Sequence, residues 1–327
     1  MPNEGQDPGQ RRRPGLTWAD VVHPWRDEAG GWTAMAEELL RRGGGRAELP
    51  DNLETIERGL RRLAGRGHAA GGQYGRWVER FFGMPPEIES WLRWLGQYHS
   101  RFADLPVSLR RRQLEHWDRR PLSEAAAGIW IDLGMASVGL RLGDAAILEA
   151  RLDRARRKLD RASVAARLEH AMIRARVDDP DGAWLGDGEA LLDDPALSPE
   201  DAACYRARHL DARAYRRMRD GGTFADGRAL YEAIPTGTGI PFVDFRRALG
   251  IAYCAWKMDD PQQGLHSALA AADHAADGGL VRLRAMAFNL ASRIAEGALA
   301  EALSARARAL SARLEDEELL ARVDKPR

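Results

Sequence analysis

The chain of 327 residues has almost no cysteine, little lysine, no charge imbalance and no long apolar run. Cys204 and Cys254 are the only cysteines, too few for a disulfide framework. Two small thiols buried in helices are expected, ahead of a single bridge. Of 49 basic residues only Lys158, Lys257 and Lys325 are lysine, which fits GC-rich coding better than selection for phosphate binding. Forty-nine acidic residues balance them, so bulk electrostatics makes no case for nucleic acid or an anionic membrane. No apolar stretch is long enough to cross a bilayer. The opening MPNEGQDPGQRRRPG lacks the apolar core of a secretory signal. The expectation is a cytoplasmic protein with no membrane partner.

The motifs of catalysis are missing too. Eight histidines are scattered without a metal-ligand spacing to Cys, Asp or Glu. No strand leads into a phosphate-cradling loop, a dinucleotide fingerprint or a nucleophile elbow. Gly43-Gly44-Gly45 lacks the Lys and Ser or Thr that phosphate binding needs. In the acidic stretch 178–201, Asp179, Asp181, Asp187 and Glu189 miss the glycine and bidentate glutamate spacing of a calcium loop. The reading is therefore a non-enzyme, with no catalytic residue, cofactor or metal.

What is present is helix. Residues 128–162, GIWIDLGMASVGLRLGDAAILEARLDRARRKLDRA, predict two amphipathic helices joined at Gly143-Asp144. Ile129, Leu133, Ala136 and Leu140 share one face of the first, and Trp130, Val138 and Leu142 widen it. Asp144 is placed to cap the second, whose stripe is Ile147, Leu148, Leu152 and Leu159. Further helices are predicted at 199–217, 224–233, 242–257, 262–276, 280–296 and 298–320. Starts near 122, 162, 199, 242 and 280 recur at roughly forty residues, the range of helical-pair repeats. The last helix ends in charged positions suited to a solvated cap.

This spacing resembles the tetratricopeptide repeat. Trp130, Leu133-Gly134, Ala146 and Ala150 match its positions, while Ser137 and Asp153 depart from them. Leu249-Gly250 with Tyr253, and then Ala268, form a second, longer copy. Tyr205, Leu210, Ala212 and Tyr215, with Ala229 and Pro235, form a third. The resemblance covers about residues 122–317. It implies an all-α, right-handed array of antiparallel helical pairs, acting as an adaptor that binds a protein or peptide partner in a concave groove. First-helix arginines would there meet carboxylates and backbone, and Arg141, Arg208 and Arg246 are the candidates.

Ahead of the repeats lies a Trp-rich helical region. Residues 1–15 read as a disordered tail, 16–120 as an N-terminal helical domain and 121–327 as the repeats. Helices are predicted at 32–42, 52–64, 72–82, 86–102 and 107–118. The second has Asp51 and Glu54 in capping-box positions and the stripe Leu53, Ile56, Leu60 and Leu63. Its other side carries Arg58, Arg61 and Arg62. TIERGLRRLAGRG is similar to the recognition helix of winged-helix and related helix-turn-helix regulators, which implies, as the alternative function, a one-component transcriptional regulator whose arginines meet duplex DNA, duplicated in a homodimer, and whose repeats are the sensor domain. Glu54 with Arg58 and Glu57 with Arg61 also suit a solvated helix face. Arg110-Arg111-Arg112 reads as a charged face as well.

Overall fold

The computed structural model describes residues 15–44, 49–50, 52–177 and 182–325. Those residues form helices and connecting turns, with no strand among them. The chain divides into two compact units, one of Met1–Ser90 with Glu115–Gly128 and one of Trp91–Leu114 with Ile129–Arg327.

In the first unit the helices are α1 (Trp18–Ala29), α2 (Trp32–Gly43), α3 (Leu53–Ala64) and α4 (Gly72–Phe81). Sequence reading missed α1, because Pro24 lies inside it and removes an intrahelical hydrogen bond. Burial compensates: Trp18, Val21 and Val22 sit in the core with Met35, Leu39, Ile56, Leu60 and Trp77. The Trp18 indole donates to Ala69 O at 3.0 Å and lies against Gly75, where a methyl group would meet its ring at 2.8 Å. α3 is capped by Asn52, which accepts from Thr55 N at 3.2 Å. The Asp51 of the expected capping box lies outside the described residues, and Glu54 pairs with Arg58 instead.

The second unit takes in the end of α5 (Pro86–Gly96), most of α6 (Val107–Trp117), and the long run of paired helices. The pairs are α7 (Ile129–Leu142) with α8 (Ala145–Arg156), and α9 (Val164–Val177) with α10 (Ala183–Glu189). α11 (Pro199–Arg219) follows with α12 (Phe224–Glu232), then α13 (Pro241–Lys257) with α14 (Pro261–Asp277), and α15 (Val281–Ile294) with α16 (Gly297–Leu314). The last helix among the described residues is α17 (Glu317–Val323). The first helices also touch in series, α7 to α9 to α11 to α13 to α15. Alanines allow this closeness: Ala252, Ala268, Ala271, Ala287 and Ala291 are all fully buried in the core of the later pairs. Cys204 and Cys254 are free, buried thiols.

Two boundaries differ from the sequence reading. The helix expected over 86–102 stops at Gly96, and Arg101–Asp104 forms a separate 3-10 turn. The single helix expected over 298–320 breaks at Glu315, whose φ of 53° turns the chain, and Asp316 caps α17 by accepting from Leu319 N at 3.0 Å. α17 then packs on α7. Within the charged segment expected to be solvated, Arg313, Glu315 and Glu317 are exposed, but Asp316 is fully buried and ion-paired with Arg282 at 2.6 Å.

Candidate functional site

In the first unit Arg58, Arg61 and Arg62 lie on the exposed side of α3, as the helical period requires. Arg58 is held by Glu54 at 2.7 Å and Arg61 by Glu57 at 2.8 Å. Arg61 also stands over the Trp32 ring, and Glu57 accepts from Thr33 Oγ1 at 2.8 Å. Two of the three arginines are therefore engaged by carboxylates of their own helix.

The second unit contains a groove of about 830 Å³. Its walls come from one set of helices. Leu140 and Arg141 of α7, Met172 and Arg176 of α9, Tyr215 and Arg216 of α11, Tyr253 and Trp256 of α13, Met286 and Arg293 of α15, and Arg322 of α17 all line it. Leu185 and Tyr231 are the only lining residues from α10 and α12. The lining thus comes mainly from the first helices of the pairs. Among the described residues the lining holds ten basic side chains and three carboxylates, Glu169, Asp211 and Glu318. The chain as a whole has no net charge, so the lining is enriched in cations, although Asp220 and Asp316 just outside it pair with Arg216, Arg219 and Arg282.

Arg141, Arg208 and Arg246 all line this groove, although they come from three different helix pairs. They lie at its floor and are nearly buried, at 2, 8 and 9 % exposure. Arg208 forms a two-pronged pair with Glu169, Nη1 to Oε2 at 2.6 Å and Nη2 to Oε1 at 2.9 Å. Tyr205 Oη donates to the same carboxylate at 3.2 Å. Arg246 Nη1 donates to Asp211 at 2.6 Å, and Tyr231 Oη to the other oxygen at 3.0 Å. Arg141 donates from Nη1 to Ala103 O, and its Nη2 has no hydrogen-bond partner. Arg282, which sequence reading passed over, donates to Asp316 at 2.6 Å and to Glu318 at 3.2 Å.

Tyr98 is the hub of this floor. The guanidiniums of Arg208 and Arg246 lie over its ring at 4.8 and 5.4 Å, and Arg282 Nη1 donates to its hydroxyl at 3.0 Å. Burial pushes the phenol pKa up, but Arg246, Arg282, Arg176 and Arg141 outweigh burial and hold it down at about 7. The groups facing it come from every packed helix: Arg141 on α7, Glu169 and Arg176 on α9, Tyr205 and Arg208 on α11, Arg246 on α13, Arg282 on α15 and Glu318 on α17.

A spectrophotometric titration should therefore show one of the six tyrosines ionising near pH 7, and Tyr98→Phe should remove that step. The folded pKa lies below the unfolded value of about 10, so the folded state favours phenolate. Its stabilising effect is full above that unfolded value and is lost as pH falls through 7. A titration with no tyrosinate signal until near pH 10 would contradict this field.

Tyr98 falls inside the helix predicted over 86–102, and no local pattern marks it as a groove residue. Arg110, read as part of a charged face, is 2 % exposed. The pattern gave no warning because Arg111 and Arg112, its neighbours, are exposed. Compared with protein-family models, curated proteins and solved structures, the chain matches none.

Proposed function

We propose that the second unit is a tetratricopeptide-like adaptor whose groove holds an acidic segment of a protein or peptide partner. The observation that carries this reading is the charge of the groove, ten cations against three carboxylates in a chain of zero net charge. Guanidinium forks match carboxylates in geometry, and several along one channel select an acidic stretch. A volume of about 830 Å³ suits a short extended peptide. Tyr215, 65 % exposed, together with Tyr253, Trp256 and Met286, offers apolar contact to intervening side chains.

The repeat resemblance is supported at its glycines. Gly134 sits where a methyl group would meet Leu95 O at 2.9 Å, and Gly250 lies directly under the Tyr231 ring. Ser137, small where that family carries an aromatic residue, lines the groove. The duplex-DNA reading has no comparable observation behind it, since Glu54 and Glu57 engage Arg58 and Arg61.

Fluorescein-labelled hexaglutamate, hexaglutamine and hexalysine separate the outcomes in anisotropy titrations. Hexaglutamate is expected to bind, and to weaken as salt rises. Arg219→Glu with Arg293→Glu changes two exposed groove arginines and is expected to weaken it by about tenfold or more. Equal binding of hexaglutamine, or an unchanged affinity in the double variant, would refute the proposal.

A further inference from the structure

A second, much smaller cavity lies in the same unit, with about 10 Å³ of space. That is room for one particle of about water size and not for a polyatomic oxyanion. Tyr98, His99, Asp104, Arg141 and Arg282 line it, and Ala103, Phe242, Leu280 and Leu283 complete the wall.

The buried charges around it do not balance. Three guanidiniums, on Arg110, Arg141 and Arg282, are matched by two carboxylates, on Asp104 and Asp316. Glu318 lies 3.2 Å from Arg282 Nη2 but is shared with Arg176 and Arg322, so it balances Arg282 only in part. Arg282 is well paired, and Asp104 accepts from its backbone N at 2.7 Å. Arg110 and Arg141 are less well paired: Arg141 Nε is 3.7 Å from Asp316, which Arg282 already engages, and Arg110 Nε and Nη1 and Arg141 Nη2 are buried without hydrogen-bond partners. Burial first, then Arg282, pushes the Arg110 pKa down to about 10. Burial, Arg110 and Arg282 together push Arg141 down as well. His99 cannot add to the excess, because burial holds it toward the neutral form.

An arginine does not relieve such a field by losing its proton. A water would fill the space but leave the charge unbalanced, and a buried unpaired charge is costly. We propose that this cavity is a binding site for a single halide ion, chloride in ordinary solution, held by Arg141 and Arg282 with the Tyr98 hydroxyl as a further donor. The cavity size excludes a polyatomic ion, and the surplus guanidinium charge favours an anion over water.

The test compares thermal melts of the full chain in sodium chloride, sodium bromide and sodium gluconate at one ionic strength. They are run below the ionisation of Tyr98, where phenolate cannot supply the missing charge. Chloride and bromide are expected to raise Tm over gluconate by about 2–4 °C. Arg110→Met removes the surplus charge, and is expected to abolish the halide dependence while melting in gluconate at least as high as the parent. Crystals of the unaltered protein grown in bromide give a reading that no variant can spoil, with an anomalous peak expected between Arg141 and Arg282. Identical melts in chloride and gluconate would overturn the site, as would a missing peak. A peak without any Tm shift would mean an adventitious ion only and would overturn it too. Hexaglutamate binding measured in gluconate reports on the groove alone, so either reading can fail without the other.

Discussion

Replacing Glu169 by alanine is expected to destabilise the helical-pair unit by about 3–5 kcal/mol. Glu169 is 1 % exposed, and its carboxylate satisfies both Nη atoms of Arg208 and the Tyr205 hydroxyl. Removing it strands a buried guanidinium that already stands over the Tyr98 ring in a field set by Arg246, Arg282 and Arg141. The cost is the unpaired charge and not the net worth of the pair. Glu169→Leu combined with Arg208→Met is accordingly expected to recover most of the loss, because burying neither charge avoids both desolvation costs. Urea denaturation followed by far-ultraviolet circular dichroism measures all three variants. A loss below about 1 kcal/mol for the alanine variant would show that water reaches Arg208 and screens it.

That pair also shows where sequence reading reaches its end. The all-helical class, the helices from α11 to α16 and the inward placement of Arg141, Arg208 and Arg246 follow from period, caps and repeat spacing. Such signals are local, arising within one helix or between two consecutive ones. Asp316 and Glu318 looked like a solvated end because their partners, Arg282 and Arg176, are 34 and 142 residues away. Tyr98 falls in the helix predicted over 86–102, but the helix ends at Gly96 and Tyr98 lies beyond it among the arginines. Arg110 belongs to the same class: a charged triplet reads as surface, and only the packed structure shows which member is buried. A position's helical face is written in the period, whereas the identity of a buried ion's partner is set by topology.

Gly96 tests that topology most directly, since helix propensity and packing predict opposite signs there. Gly→Ala in a helix ordinarily gains up to about 1 kcal/mol. At Gly96, however, the new methyl group would lie 2.9 Å from Trp130 Cα and C, and closer still to Trp130 O. These are backbone atoms of α7 and cannot rotate away, so α5 must move. Gly134 faces the same contact from the other side, 2.9 Å from Leu95 O, which leaves no slack in the pair. Gly96→Ala is therefore expected to cost about 1–3 kcal/mol in urea denaturation. Gly186→Ala is the matched control, because nothing lies within 4 Å of its added methyl group, and it is expected to be neutral or stabilising. The two-residue reach from Gly96 to Tyr98 adds a second readout. Displacing α5 draws the phenol away from Arg246 and Arg282, so its ionisation should move up from about 7 toward the ordinary value. If Gly96→Ala were as stable as the parent with the Tyr98 step unmoved, the close contact of α5 with α7 would not hold in solution.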